Sequence, residues 1–142
     1  MTNDPFDLDR FVRTQANDYD RALDEIRRGR KQSHWMWYVF PQIAGLGQSA
    51  MSRRFAINGL EEARAYLTHP VLAPRLIACM ETLLRLEGVS ADQIFGFPDT
   101  MKLRSCATLF AAASAPGSVF HRLLDRYFEG EKDAETIRLL GH

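Results

Sequence analysis

This sequence is short of nearly everything that marks a specialised class of protein. Of its 142 residues only two are cysteine, six are proline and nine are glycine. Two thiols, Cys79 and Cys106, do not make a disulfide framework. A chain of this length needs none, because a ~150-residue domain hides roughly 70% of its unfolded surface in one core. They point instead to a reducing compartment, and the cytoplasm is the expected location. Charge of one sign is missing as well: Lys and Arg number 18, and so do Asp and Glu. Bulk attraction to nucleic acid or to an anionic membrane is therefore absent, which weighs against both as partners. The longest apolar runs, Trp35 to Pro41 and Leu109 to Ala113, fall far below the ~20 residues of a bilayer span. The first residues, Met1 to Asp9, carry three Asp and neither a basic nor an apolar leader pattern, so no secretory or transit signal is expected. No stretch alternates with period two, no segment repeats, and the four histidines are widely spaced without HxxxH or CxxC. No metal or cofactor signature is legible.

What remains is ample for a packed core: 46% of residues are hydrophobic and 11% aromatic. Leu8, Phe11, Val12, Gln15, Tyr19, Ala22, Leu23 and Ile26 recur at steps of three and four, which predicts a first amphipathic helix. Asp4 is placed to cap its start, with Pro5 at the first helical position, and Gly29 to end it. Asn58 followed by Glu61 has the spacing of a capping box and opens a helix that must stop near His69, because Pro70 follows. A stripe of Leu72, Leu76, Met80, Leu83 and Leu84 predicts the next, closed by Gly88. A capping box from Ser90 to Gln93 then starts a brief turn of helix. Asp99 is read as the N-cap of a segment in which Leu103, Cys106, Ala107, Phe110 and Ala113 share one face, with Arg104, Ser105 and Thr108 on the other. The last stripe runs from Val119 to Phe128, and His121 and Asp125 have the spacing of a surface pair. The expected structure is a single all-α domain over residues 1–142, a bundle of about six to eight helices.

Two segments are dense enough in functional groups to carry chemistry. The first, Ser33 to Pro41, holds both tryptophans and His34. Its aromatics would point all round a helix axis, so the run is either a central packing element or the wall of a cavity in which Trp35, Trp37 and Tyr38 stack on a planar ligand. His34 is the strongest acid-base candidate by residue type, although a hydrogen-bonded structural histidine is the commoner case and the favoured reading. The second, Asp99 to Thr108, offers Lys102, Arg104 and Ser105 on one helix. A helix wall bearing cations and hydroxyls suits an anion, and a solvated helix face suits the same residues. The order of Lys102 and Ser105 reverses the S-x-x-K signature, so a Ser-Lys nucleophile is not assigned. Between the segments, Pro41 to Ser52 is the least regular stretch, and Arg53 and Arg54 follow it with no acidic neighbour, which suits a phosphate or carboxylate. Gly45-Leu46-Gly47 reads as a turn, since no strand precedes it. Arg27, Arg28, Arg30 and Lys31 are explained by the dipole at the end of the first helix.

The strings HWMWYVFPQIAGLGQSAMSRRFAI and IFGFPDTMKLRSCATLF, with EEARAYLTHPVLAPRL and LLDRYFEG, resemble the bacterial family catalogued as domain of unknown function eighteen-ten, over about Phe6 to Leu140. The resemblance implies a mainly α-helical domain and no established activity. Members are often labelled calpastatin, after a disordered calpain inhibitor, and this chain's hydrophobic and aromatic content is incompatible with disorder. Two positions depart from the family's usual pattern: Phe55 where Tyr is common and Cys106 where a second Ser is common. The motif segments 34–41, 49–57 and 98–110 are expected to converge on one cleft. Trp35, Trp37 and Tyr38 would form its wall, Arg53, Lys102 and Arg104 its anion contacts, and His34 or Ser105 the group nearest any chemistry. The functional expectation is a pocket, binding or enzymatic, for a small planar anion of nucleotide type. The alternative is a non-catalytic interaction module that docks a partner through an aromatic patch.

Overall fold

The computed structural model describes residues 4–141, and within them every regular element is a helix. In chain order these are α1 (Asp9–Arg27), α2 (Met36–Val39), α3 (Ala50–Arg54), α4 (Leu60–Thr68), α5 (Leu72–Arg85), α6 (Ala91–Ile94), α7 (Asp99–Ala112), α8 (Val119–Phe128) and α9 (Ala134–Leu139). The nine segments among the described residues exceed the expected number, because α2, α3 and α9 are too short to display a periodic stripe. Helices α1, α5 and α8 follow the predicted faces. Leu72, Leu76, Met80 and Leu83 of α5 and Val119, Phe120, Leu123 and Leu124 of α8 are all buried. Here α1 and α8 both pack against α5, α7 lies along α8, and α4 and α9 rest on α7. Truncating any one of the buried leucines to Ala is a change of about 2–5 kcal/mol.

Local chemistry sets the helix ends. Asp4 accepts the Leu8 and Asp9 amides at 2.7 and 2.9 Å, but the cap residue is Leu8 and α1 begins at Asp9, so Asp4 is not the N-cap expected and Pro5 lies outside the helix. Gly29, at φ +73°, closes α1 through bonds from Gly29 N–H to the Ile26 carbonyl and from Arg30 N–H to the Glu25 carbonyl, the pairing of a Schellman motif. The Ser90 to Gln93 capping box forms in both directions. The one expected from Asn58 to Glu61 does not. Gly59 is the cap residue of α4, and Asn58 turns its backbone N–H and its side-chain amide to Glu62 instead, at 3.1 and 3.0 Å. His121 does not need Asp125, because its Nδ1 lies 2.8 Å from the Ser118 hydroxyl that caps α8.

The expected polar face of α7 is corrected by packing. Ser105 and Thr108 are buried at 6% and 1% exposure, because α7 is covered by α8, α4 and α9 together. Each hydroxyl is satisfied by the carbonyl one turn back, Met101 for Ser105 and Arg104 for Thr108, as small hydroxyl residues allow inside a helix. Asp99 does not act as the N-cap. Pro98 holds that position, and the Asp99 carboxylate bridges Lys31 at 2.8 Å and Lys102 at 3.3 Å. Lys31 is thus more than a charge at a helix end: it is half-buried and sits 5.1 Å from the Trp35 ring centroid. Arg28, paired with Asp24 on the exposed surface at 3.0 Å, is the plain terminal charge.

Two buried carboxylates tie the irregular stretch to α1 and α4. Glu25 accepts hydrogen bonds from the Gln32 and Ser33 amides at 2.8 and 2.9 Å, from the Ser33 hydroxyl at 2.6 Å and from the Trp35 indole at 2.9 Å. Glu62 receives Arg10 Nη2 at 2.8 Å, and the same guanidinium donates to the Arg54 and Ala56 carbonyls, each at 2.8 Å. A buried charge is tolerated only when it is paired in this way. For Glu25, burial alone would raise the pKa, but the bonds from the Ser33 hydroxyl, the two amides and the Trp35 indole outweigh it and hold the group at about 2, against an ordinary 4.5. The stabilisation from this depressed pKa is therefore complete above pH 4.5 and is lost as pH falls toward 2. It amounts to about 3 kcal/mol. In urea unfolding, Glu25→Gln is expected to lie below the wild type at pH 7 by about 2–3 kcal/mol. The gap should narrow as pH falls from 4.5 to 2, and a constant gap would show that the carboxylate charge contributes nothing.

Candidate functional site

The aromatic run divides its duties. Trp35, Met36, Tyr38, Val39 and Phe40 are buried in the core, where Trp35 packs against Phe40 and Phe95 with ring centroids 5.9 and 6.4 Å apart. Tyr38 turns away from the cleft, donating its hydroxyl to Asp18 on α1, and burial together with that bond pushes its phenol above the ordinary range. Trp37 alone is partly exposed. So Trp35 and Tyr38 belong to the packing element and Trp37 to the cavity wall, and each reading of the run accounts for part of it.

Two cavities share Trp37, Gln42, Leu46 and Gly47 in their walls. One, of about 220 Å³, is completed by residues 43–45 and by Ser52, Arg53, Phe55, Ala56 and Asn58. The other, of about 290 Å³, is completed by Phe97, Pro98, Met101, Lys102, Ser105 and Asp133. Segment 34–41 thus meets 49–57 in the first cavity and 98–110 in the second, so the single cleft expected is two cavities that share Trp37. Gly45, at φ +102°, provides the left-handed turn that only glycine adopts freely. Gly47 allows a close approach: a Cβ there would lie 2.7 Å from the Ser52 Cβ and 3.4 Å from the Trp37 ring. Amide and carbonyl groups of residues 42–44 pair with Ile57 at 2.8 Å, giving one isolated parallel bridge between Ile43 and Ile57.

Cations approach the cleft from both ends. Lys102 Nζ stands 4.1 Å from the Trp37 ring centroid while paired with Asp99. Arg53 has no acidic partner among the described residues, and its guanidinium donates to the Gln48 carbonyl, 3.0 Å from Nε. Arg104 stands apart. It lines a separate depression with Ser90, Thr100 and Tyr127 and donates to the Glu131 and Lys132 carbonyls at 3.2 and 3.0 Å, which holds the approach to α9. His34 is exposed, lines neither cavity, and offers its carbonyl to Tyr38 at 3.1 Å. Ser105 lines the second cavity with its hydroxyl bonded to Met101, and Lys102 turns to Asp99, so the two do not pair. Among the described residues no cluster of His, Cys, Asp or Glu is arranged to hold a metal ion. No helix there is long and apolar enough to cross a membrane.

Gln42 is the cleft residue that sequence reasoning missed. It is 7% exposed and its Nε2 has no hydrogen-bond partner among the described residues, yet a glutamine in an irregular stretch carries no local signal of burial. The departures from the family pattern separate. Phe55 lines the first cavity and packs 5.4 Å from Tyr38. Cys106 is a core thiol, raised well above its ordinary range by burial. Cys79 is likewise buried and pushed up to about 12, so neither thiol is poised as a nucleophile.

Acrylamide should quench the emission of Trp35→Phe, which retains Trp37, and leave that of Trp37→Phe, which retains the buried Trp35, largely protected. Equal quenching of the two would contradict this division of the run. Gly47→Ala should destabilise by about 1–3 kcal/mol through overpacking. Ser52→Gly should recover part of that loss in a double-mutant cycle, whereas strict additivity would show that the Gly47 and Ser52 contact is slack.

Comparison with known proteins agrees with this architecture. No match emerges among curated proteins. Among solved structures, the chain is similar to the conserved hypothetical protein Rv1873 from Mycobacterium tuberculosis, at 48% sequence identity over 98% of this chain and 99% of that one, with a TM-score of 0.95. The sequence pattern of the family described as a protein of unknown function, DUF1810, matches residues 5–140, and the chain belongs to that family.

Proposed function

We propose that the Trp37 cleft binds a small planar anion of nucleotide type. The observation that carries this reading is the junction itself: one partly exposed indole shared by two cavities, with Arg53 lining the first and Lys102 the second. An aromatic face recognises a flat ring, and a cation recognises phosphate or carboxylate, so the two halves of such a ligand are read separately. Arg53 is the freer cation, since the carboxylate of Asp99 is shared between Lys102 and Lys31. Ser105 lies within reach of a ligand in the second cavity and Asp133 across from it. His34, outside both cavities, is not assigned a role.

The alternative, docking of a protein partner through an aromatic patch, draws no support from Trp35, which is 1% exposed. It rests on Phe97, 85% exposed at the rim of the second cavity beside Met101 at 41%.

A thermal-shift screen of nucleotides, ADP-ribose-like compounds, sugar phosphates and carboxylates tests the proposal. A ligand at 100 times its Kd should stabilise the wild type by about 2.7 kcal/mol. Trp37→Ala and Arg53→Ala should abolish that stabilisation while leaving the unliganded protein folded. Arg104→Ala should loosen the approach to α9 and leave the response to ligand intact. Stabilisation lost in Arg104→Ala but kept in Arg53→Ala would move the site out of the cleft, and no response to any class would favour the docking surface.

A further inference from the structure

We infer that Gln42 sets the specificity of the Trp37 cleft, donating a hydrogen bond from its buried amide to a carbonyl oxygen or ring nitrogen on the edge of the ligand's flat ring. This rests on the cleft being a ligand site, as proposed above, and it narrows the ligand class from any planar anion to one whose ring carries an acceptor, as a nucleobase does.

The fold satisfies a buried glutamine elsewhere. Gln15 donates from Nε2 to the Tyr38 carbonyl at 2.6 Å and to the Tyr66 hydroxyl at 3.1 Å, and accepts from Arg75 at 3.3 Å. Gln42 is nearly as deeply buried, at 7% exposure, and lines both cavities, yet its Nε2 finds no partner among the described residues. Leaving such a donor unpaired destabilises the unliganded protein, and a leucine or methionine would fill the same space without that penalty. The backbone at this position is fixed, because the Gln42 main-chain carbonyl accepts the Ile57 amide at 2.8 Å, next to the bridge from Ile43 to Ile57. Gln42 belongs, with Trp37, to the wall common to both cavities. A ligand without an acceptor leaves the amide unpartnered, and sites built around a polar contact discriminate strongly on that basis.

Three probes separate the cases: adenosine monophosphate and uridine monophosphate, whose rings carry acceptors, and phenyl phosphate, whose ring carries none. By calorimetry the wild type should bind the two nucleotides at least tenfold more tightly than phenyl phosphate, and Gln42→Leu should bind all three alike. Without ligand, Gln42→Leu should melt about 3 °C higher than the wild type, as removal of an unpaired buried donor predicts. Gln42→Met, which keeps the length of the side chain, should behave in the same way and guards against misfolding of the leucine variant. If the wild type binds all three probes equally, or either variant keeps the preference, the role of Gln42 is overturned while the cleft stands as an anion site. If both variants melt several degrees lower, the amide is structural and the inference fails. If none of the three probes binds the wild type, the inference and the cleft reading fall together.

Discussion

The carboxylate of Glu25 is the constraint on which the functional region depends. It is a formal charge inside the protein, and the four donors that keep it there all come from residues 32–35. Those donors cannot serve the carboxylate unless the chain leaving α1 turns back over the end of that helix, and the turn begins at Gly29. Trp35 then enters the core with its indole N–H already spoken for, α2 starts at the next residue, and Trp37 emerges on the opposite side. The position of the candidate site is thus a consequence of how one acid was buried.

A second buried acid secures the far side. Glu62 holds Arg10, and Arg10 clamps the carbonyls of Arg54 and Ala56, which places Arg53 and Phe55 beside the loop that carries Gly45 and Gly47. Between the two anchors the chain makes only one isolated bridge and two short helices. The first cavity lies within this irregular stretch, and the second lies where the stretch meets the N-terminal turns of α7. Rigid supports around an irregular wall are a common arrangement for binding sites, since loops offer backbone groups and concave shapes that a packed helix face cannot. Lys31, Asp99 and Lys102 join the two sides of this arrangement: one carboxylate links a cation against Trp35 to a cation against Trp37.

Much of the helical framework was legible because its causes are local. The stripes of α1, α5 and α8, the stop at Pro70, the capping box at Ser90 and the glycine ends each depend on residues within a turn or two of one another. The closeness of segment 34–41 to both 49–57 and 98–110 was legible too, from the crowding of aromatics and cations, although as two cavities sharing Trp37 where one cleft was expected. Which members of those segments face the cleft was not. Trp35, Trp37 and Tyr38 are chemically similar to a reader of the sequence, and only Trp37 reaches the cavity wall, because Glu25 claims Trp35 and Asp18 claims Tyr38. Gln42 stood in a stretch with no periodicity from which burial could be inferred.

By itself the sequence determined a helical framework of α1 and α4 to α8 with a core of ordinary composition, since periodicity, capping and turn residues act over a few positions. It also determined the family, through strings distinctive along nearly the whole chain. Tertiary structure decided the rest. It made α7 buried on nearly every face where one polar side was expected, gave Asp99 to two lysines in place of a helix cap, and turned Arg104 from the cleft to the backbone before α9. Each of these outcomes is a choice among partners far apart in the chain, as in the 52-residue separation of Arg10 and Glu62. Burial makes such choices costly to leave unmade, but only the assembled fold brings the competing partners within reach.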